Sequence, residues 1–393
     1  MAIATATTLR LPVAGGGIED YTLGPASSYA RSYSPPTKRI AFAAAHVVAD
    51  PLADISPTLE AAIDWDATLA YRRSLWALGL HVAEAMDTAQ RGMGLDWEAS
   101  KALIARSIAE ATAVGGHVAS GAGTDHLLPE PNLSMNAVIA AYEEQVGFVE
   151  GLGGQVILMA SRALAAAATS PDDYAHVYDR ILSQVRQPVI IHWLGDMFDP
   201  ALHGYWGSAD LDEASDTCLD VIRTHADKVN GIKVSLLDKD REIDLRRRLP
   251  DGVRMYTGDD FNYAELIAGD ERGYSDALLG IFDAIAPAAG AALAAFDGGD
   301  LARYQEIFAP TVPLSRHIFK APTRFYKTGV VFMAWLNGHQ EHFQMVGGQQ
   351  SARSLLHLSE LFRLADRAHL FHDPEETTRR MRSFLAVSGV AQP

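Results

Sequence analysis

Eight short apolar runs, each followed by a longer segment with helical spacing, constrain this chain more than any other feature. They are RIAFAAAHVV (Arg39–Val48), GLHVAEAM (Gly79–Met86), GHVASGAG (Gly116–Gly123), GQVILMA (Gly154–Ala160), PVIIHWL (Pro188–Leu194), VNGIKVS (Val229–Ser235), VRMYTGDD (Val253–Asp260) and ALLGIF (Ala277–Phe282). A run that is apolar at consecutive rather than alternate positions reads as a strand covered on both faces, as in parallel sheets. Parallel neighbours need a long crossover, and good helix formers fill the gaps: WDATLAYRRSLWAL, DWEASKALIARSIAEAT, MNAVIAAYEEQVGFVEGL, PDDYAHVYDRILSQV and DEASDTCLDVIRTHAD. Asp96 stands where it would cap the second of these. The pattern predicts an α/β fold, a (β/α)8 TIM barrel in preference to an open doubly wound sheet.

The barrel is expected over residues 39–286. Residues 1–38 are rich in Ala, Thr, Gly, Ser and Pro without a sustained period and read as an N-terminal extension. Its GGG at Gly15–Gly17 is no phosphate loop, because no GK[ST] follows. Residues 287–393 carry RYQEIFAPTVPLSRHIF, FYKTGVVFMAWLNG and SARSLLHLSELFRLADRA, and read as a helical C-terminal region packed on the barrel.

Charge and cysteine content narrow the partners. With 49 acidic against 33 basic residues the formal charge is -16, which disfavours a phosphate backbone, so nucleic acid is not an expected partner. Cys218 is the only cysteine, so neither an internal disulfide nor a CxxC motif can form. The opening residues lack the basic and apolar regions of a signal peptide, and no later run has the length of a membrane span. A cytoplasmic protein without a membrane partner is expected.

Catalytic groups of such barrels lie at the C-terminal ends of the strands. Here those ends carry His46 and Asp50, Asp87 and Thr88, Thr124 and Asp125, Met159 and Ser161, His192, Lys233 and Ser235, and Asp259 and Asp260. Lys233 is the only amine among them. An ammonium carried into a barrel costs several kcal/mol unless it is paired or gives up its proton. Two readings follow: a neutral, nucleophilic lysine that attacks a carbonyl carbon, or a structural lysine bridging the Asp259 and Asp260 carboxylates.

The stretch NGIKVSLLDKDREIDLRRRLPDGVRMYTGDD, followed by GYSDALLGIFDAIAP, resembles the Schiff-base lysine strand and the next two strands of the dihydrodipicolinate synthase and N-acetylneuraminate lyase superfamily. FYKTGVVFMAWLNG is similar to the lysine-containing helix that follows the barrel in those enzymes. The resemblance implies a lyase or synthase that binds a small carbonyl substrate covalently on Lys233, needs no other cofactor, and forms a homo-oligomer.

Two departures accompany the match. VIIHWLGDMFDP puts His192 where the superfamily has a proton-relaying tyrosine, and a histidine titrating near neutrality would serve as general acid or base. AMDTAQRGMGLDWEA replaces the carboxylate-binding loop, keeping Thr88 but setting Asp87 where a substrate carboxylate would be repelled. Such a carboxylate would have to shift toward Arg91 or pair with Arg162; otherwise a polyhydroxylated ketone would use Asp87 as acceptor. The expected activity is a Schiff-base lyase, aldolase or dehydratase acting on a 2-oxo acid or keto-sugar. Lys233 and His192 would be catalytic; Asp87, Thr88, Asp125, Ser235, Asp259 and Asp260 would shape binding. Two alternatives stand beside it. One is a divalent-metal aldolase or isomerase using His192, Asp196, Asp199 and His203 with Asp259 or His46. The other is a sugar-binding barrel without catalysis.

Overall fold

All eight apolar runs become strands of one closed parallel barrel. The computed structural model describes residues 7–392; residues 1–6 of the expected extension and residue 393 lie outside the described residues. Two strands, β1 (Thr8–Val13) and β2 (Gly17–Thr22), precede the barrel. The barrel comprises β3 (Ala41–Ala44), β4 (His81–Glu84), β5 (Val118–Ala122), β6 (Gln155–Met159), β7 (Val189–Leu194), β8 (Val229–Ser235), β9 (Arg254–Thr257) and β10 (Asp276–Leu279). They pair in chain order, and β10 closes on β3.

Each strand is apolar on both faces because it faces two cores. Phe42, Ala44, Ala83, Ala119, Ile157, Ile190, Tyr256 and Leu278 fill the barrel interior. Val82, Val118, Val156, Leu158, Val189, Ile191, Ile232 and Val234 pack outward against the helices. At roughly 25 cal/mol per Å2 of apolar surface, burial on this scale is the main favourable contribution to folding. Asp96 caps the helix Trp97–Val114 as expected, its carboxylate accepting from Ala99 N at 2.8 Å.

Within residues 1–38, where the sequence shows no sustained period, β1 and β2 form an antiparallel hairpin. Gly15 and Gly16 make its turn with φ of 92° and 91°, a region open to glycine. Leu9 and Leu11 are fully buried, Tyr21 Oη donates to Asp366 Oδ2 at 2.7 Å, and Arg363 and Arg382 donate to hairpin carbonyls. The hairpin thus rests on the helices Leu355–Arg367 and Pro374–Val387. Two alternating leucines are too short a pattern to announce a strand.

Everything described after β10 up to the C-terminus is helical or irregular. The helix Tyr326–Leu336 is buried along its whole length and bears on the rim of the barrel, where Tyr326 Oη and Thr88 Oγ1 lie 2.8 Å apart. None of the described helices is long and apolar enough to cross a membrane.

Candidate active site

Lys233 lies on β8 in register with His192 of β7 and Tyr256 of β9, so its side chain shares their inward-facing layer. The residue is 7% exposed, and among the described residues its Nζ makes no hydrogen bond or ion pair. Burial lowers its pKa; Asp260 and Asp87 are the charges that oppose this. Asp260 is buried too, which raises its pKa, while the Ile281 N–H, donating to Oδ1 at 2.8 Å, and Lys233 pull it down. Amine and carboxyl are therefore both displaced toward their neutral forms, and one proton serves the two.

The glycine of the TGDD turn leaves the space that the Lys233 and Ser235 side chains occupy. A Cβ on Gly258 would stand 2.8 Å from Lys233 Cε and 2.7 Å from the Val234 carbonyl, closer than side chains pack.

His192 is fully buried. Its Nε2 is 3.2 Å from Ser235 Oγ and its Nδ1 has no partner. Burial first and Lys233 second hold its pKa well below the usual histidine value, so the imidazole is neutral at pH 7. The expected titration near neutrality is thus corrected: the low-dielectric interior and an adjacent amine both disfavour the imidazolium.

A cavity of about 100 Å3 opens at His192, lined also by Asp87, Arg91, Thr124, Asp125, Met159, Ser161, Arg162 and Asp199 among others; Lys233 is not in its wall but adjoins it through His192, its partner in the strand register. That is space for several waters or a small ligand. Asp87 is partly exposed, and its carboxylate has no hydrogen bond or ion pair among the described residues. Asp125 is bound to Arg91 by two hydrogen bonds of 2.9 and 2.6 Å and accepts from Gln145 at 2.9 Å. Burial alone would raise the Asp125 carboxyl, but Arg91 and Gln145 outweigh it and hold it below the usual range. Arg91 also donates to the Gly121 carbonyl at 2.7 Å and to Gln145 Oε1.

Residues 9–390 match the model of a family described as a protein of unknown function, DUF993. The chain belongs to the DUF993 family. No curated protein matches it. Among solved structures, dihydrodipicolinate synthase from Thermotoga maritima is 15% identical with a TM-score of 0.59, over 90% of this chain and 100% of that one. The Acinetobacter baumannii dihydrodipicolinate synthase complexed with pyruvate is 15% identical with a TM-score of 0.60, over 85% and 100%. The enzyme from Oceanobacillus iheyensis is 16% identical with a TM-score of 0.57, over 83% and 95%. At such identities the likeness is one of fold, and at that level the resemblance carried by the lysine strand is borne out.

In this DUF993 chain the expected site residues separate into those at the cavity and those held elsewhere. Asp87 and His192 line the cavity, and Lys233, Ser235 and Asp260 adjoin them: Lys233 is in register with His192, Ser235 is bonded to it, and Asp260 and Asp87 are the charges that act on the lysine. Thr88 is buried at the rim and bonded to Tyr326; Asp125 lines the cavity but is tied to Arg91. Asp259 does not face the site. Its Oδ1 accepts from Phe261 N at 2.8 Å and Asn262 N at 3.0 Å, and its Oδ2 from Asn262 Nδ2 at 2.8 Å. An aspartate followed by a tight turn satisfies the turn's own N–H groups first. The structural reading of Lys233 as a bridge between Asp259 and Asp260 is corrected on the same ground.

The residues of the metal alternative are scattered. His192 is inside the barrel, Asp196 pairs with His203 at 2.8 Å on the surface, Asp199 holds Arg162, and His46 Nδ1 is bound to Asp283 at 2.8 Å. Among the described residues no group of three or more His, Cys, Asp or Glu side chains is arranged to hold a metal ion.

Two residues next to the site, Tyr326 and Lys327, were given no role from the sequence, although the resemblance marked the helix that carries them. Tyr326 is buried, stacked on Phe319 at 4.3 Å, and its phenol is kept protonated by burial and by Asp87. Lys327 is 4% exposed, and burial lowers its pKa to about 8 against the pull of Asp87. The polar pair at the head of an apolar helix, FYKTGVVFMAW, is the one local signal that could have drawn attention to them.

Proposed function

We propose that this protein is a Schiff-base-forming lyase, aldolase or dehydratase acting on a small 2-oxo acid or keto-sugar. One observation carries the reading: a buried lysine inside the barrel rim, in register with the His192 that lines a cavity, with no partner for Nζ among the described residues and a lowered pKa. A buried amine without an ion pair is a stability cost, and a nucleophilic role accounts for keeping it.

The neutral Lys233 amine attacks the substrate carbonyl carbon. The carbonyl oxygen takes up protons and leaves as water, and the C=N bond forms. Asp260, whose carboxyl favours its protonated form, supplies a proton to the departing hydroxyl and takes one back when the enamine forms. His192 acts as a neutral hydrogen-bonding group, with Nδ1 available to the substrate and Nε2 held by Ser235. Thr88 and Tyr326 orient the rim, and the iminium draws electrons from the bond that breaks. Carbon–carbon cleavage, condensation and dehydration all run through the same enamine.

The test is borohydride reduction in the presence of carbonyl compounds, followed by intact and peptide mass spectrometry, with Lys233→Ala alongside. A stable adduct on Lys233 that is missing from the variant is the expected result. Turnover that persists in the variant would sink the mechanism.

A further inference from the structure

The charge around the cavity selects among carbonyl substrates; this step rests on the Lys233 reading above. The wall holds three carboxylates, Asp87, Asp125 and Asp199, against two guanidiniums, Arg91 and Arg162. Arg91 is engaged by Asp125, and Arg162 donates through Nε to Asp199. Lys327 is directed to the Arg324 carbonyl at 3.1 Å and to Met93 Sδ, and forms no ion pair. Arg91 is thus spent and the charge of Arg162 is matched by Asp199, which leaves Asp87 as the wall's unbalanced charge.

The position of Asp87 matters as much as its freedom. The carboxylates that act on Lys233 are Asp260 and Asp87. A 2-oxo acid carries its carboxylate on the very carbon that the amine attacks, so an imine with it would set a second negative charge near that of Asp87. Two like charges about 4 Å apart at the protein surface repel by roughly 4 kcal/mol. A hydroxyketone presents the same electrophilic carbon, but the neighbouring group is a hydroxyl that donates to a carboxylate. The remaining wall suits further hydroxyls: Thr124 and Ser161 present their oxygens 2.6 Å apart, and His192 Nδ1 lacks a partner.

We infer that the cavity takes a neutral polyhydroxylated ketone, with a substrate hydroxyl donating to Asp87, in preference to a 2-oxo acid. The cavity volume of about 100 Å3 sets the chain at a few carbons.

The experiment exposes the wild-type protein to borohydride with equal concentrations of either dihydroxyacetone or erythrulose, or of pyruvate or 2-oxobutyrate. Adducts are assigned to Lys233 by peptide mass. In each, Nζ loses its hydrogens as water forms from the carbonyl oxygen, and hydride reduces the C=N bond to a secondary amine. The expected result is at least about tenfold more Lys233 adduct with the hydroxyketones. Asp87→Asn should narrow that ratio by raising the yield with pyruvate. Preferential trapping of the 2-oxo acids, or equal trapping of both, overturns the substrate class while leaving the imine mechanism standing. No Lys233 adduct with any compound overturns both. Because the ratio is measured on the wild-type protein, a poorly folding Asp87 variant does not affect the outcome.

Discussion

Arg91 and Lys233 are two buried cations on the same barrel rim, and they are treated in opposite ways. Arg91 is 4% exposed and spends its donors on Asp125, Gln145 and the Ala85 and Gly121 carbonyls. Lys233 is 7% exposed and has no hydrogen-bond partner among the described residues. Arg91 braces the loops after β4 and β5, whereas Lys233 is pressed toward the neutral amine. A cation with every donor satisfied holds structure, and one left without partners is available for chemistry.

The contrast breaks most sharply in stability. Arg91→Met takes the donor from buried Gln145 and from the Ala85 and Gly121 carbonyls and the cation from the more exposed Asp125, and is expected to cost about 2–4 kcal/mol. Lys233→Met removes an unpaired buried amine and is expected to leave stability within about 1 kcal/mol of wild type, or to raise it. Urea unfolding of the two variants would decide the matter; equal losses would mean that Lys233 is structural after all.

Gly258→Ala tests the support beneath the lysine. Its Cβ would meet Lys233 Cε at 2.8 Å, so an overpacking cost of about 1–3 kcal/mol is expected. Adduct formation should fall by at least about tenfold, since misplacing a reacting group by about 1 Å is enough to do so. Normal trapping in this variant would show that Lys233 moves freely.

Glu242 offers a third way of handling a buried charge. It accepts from Thr257 at 2.9 Å and Ser275 at 2.7 Å, has no cation bound to it among the described residues, and burial raises its pKa from 4.5 to about 8. The folded state therefore binds this proton more tightly than the unfolded chain does. The resulting stability is complete below about pH 4.5 and is lost as pH rises through 8. Glu242→Gln should flatten that slope, so melting temperatures of wild type and variant should diverge in the variant's favour between pH 5 and pH 9. The gap at high pH is expected to be on the order of 1–3 kcal/mol. A gap independent of pH would mean that Glu242 does not titrate in this range.

Much of this was legible in the chain. The VNGIKVS run marked both a strand and its exceptional lysine, because one charge in an apolar stretch is a local anomaly. The cap Asp96 was legible for the same reason. Asp259 was misjudged because a carboxylate at a strand end reads the same whether it faces a cavity or its own turn. His192 was placed correctly beside Lys233, but its basicity was not, since that depends on burial and on a neighbour from another strand.

Periodicity and composition by themselves determined the strand number, the barrel, the helical C-terminal region and the lysine at the rim. Those properties follow from the spacing of apolar residues within a few turns of chain. Only the tertiary structure decided which polar groups are spent and which are free. Arg91 meets Asp125 across 34 residues and Thr88 meets Tyr326 across 238. Asp87 is left unmatched because every cation near it is buried, turned to a carbonyl or held by another acid. Pairing is settled by distances in space, over which spacing along the chain has no say.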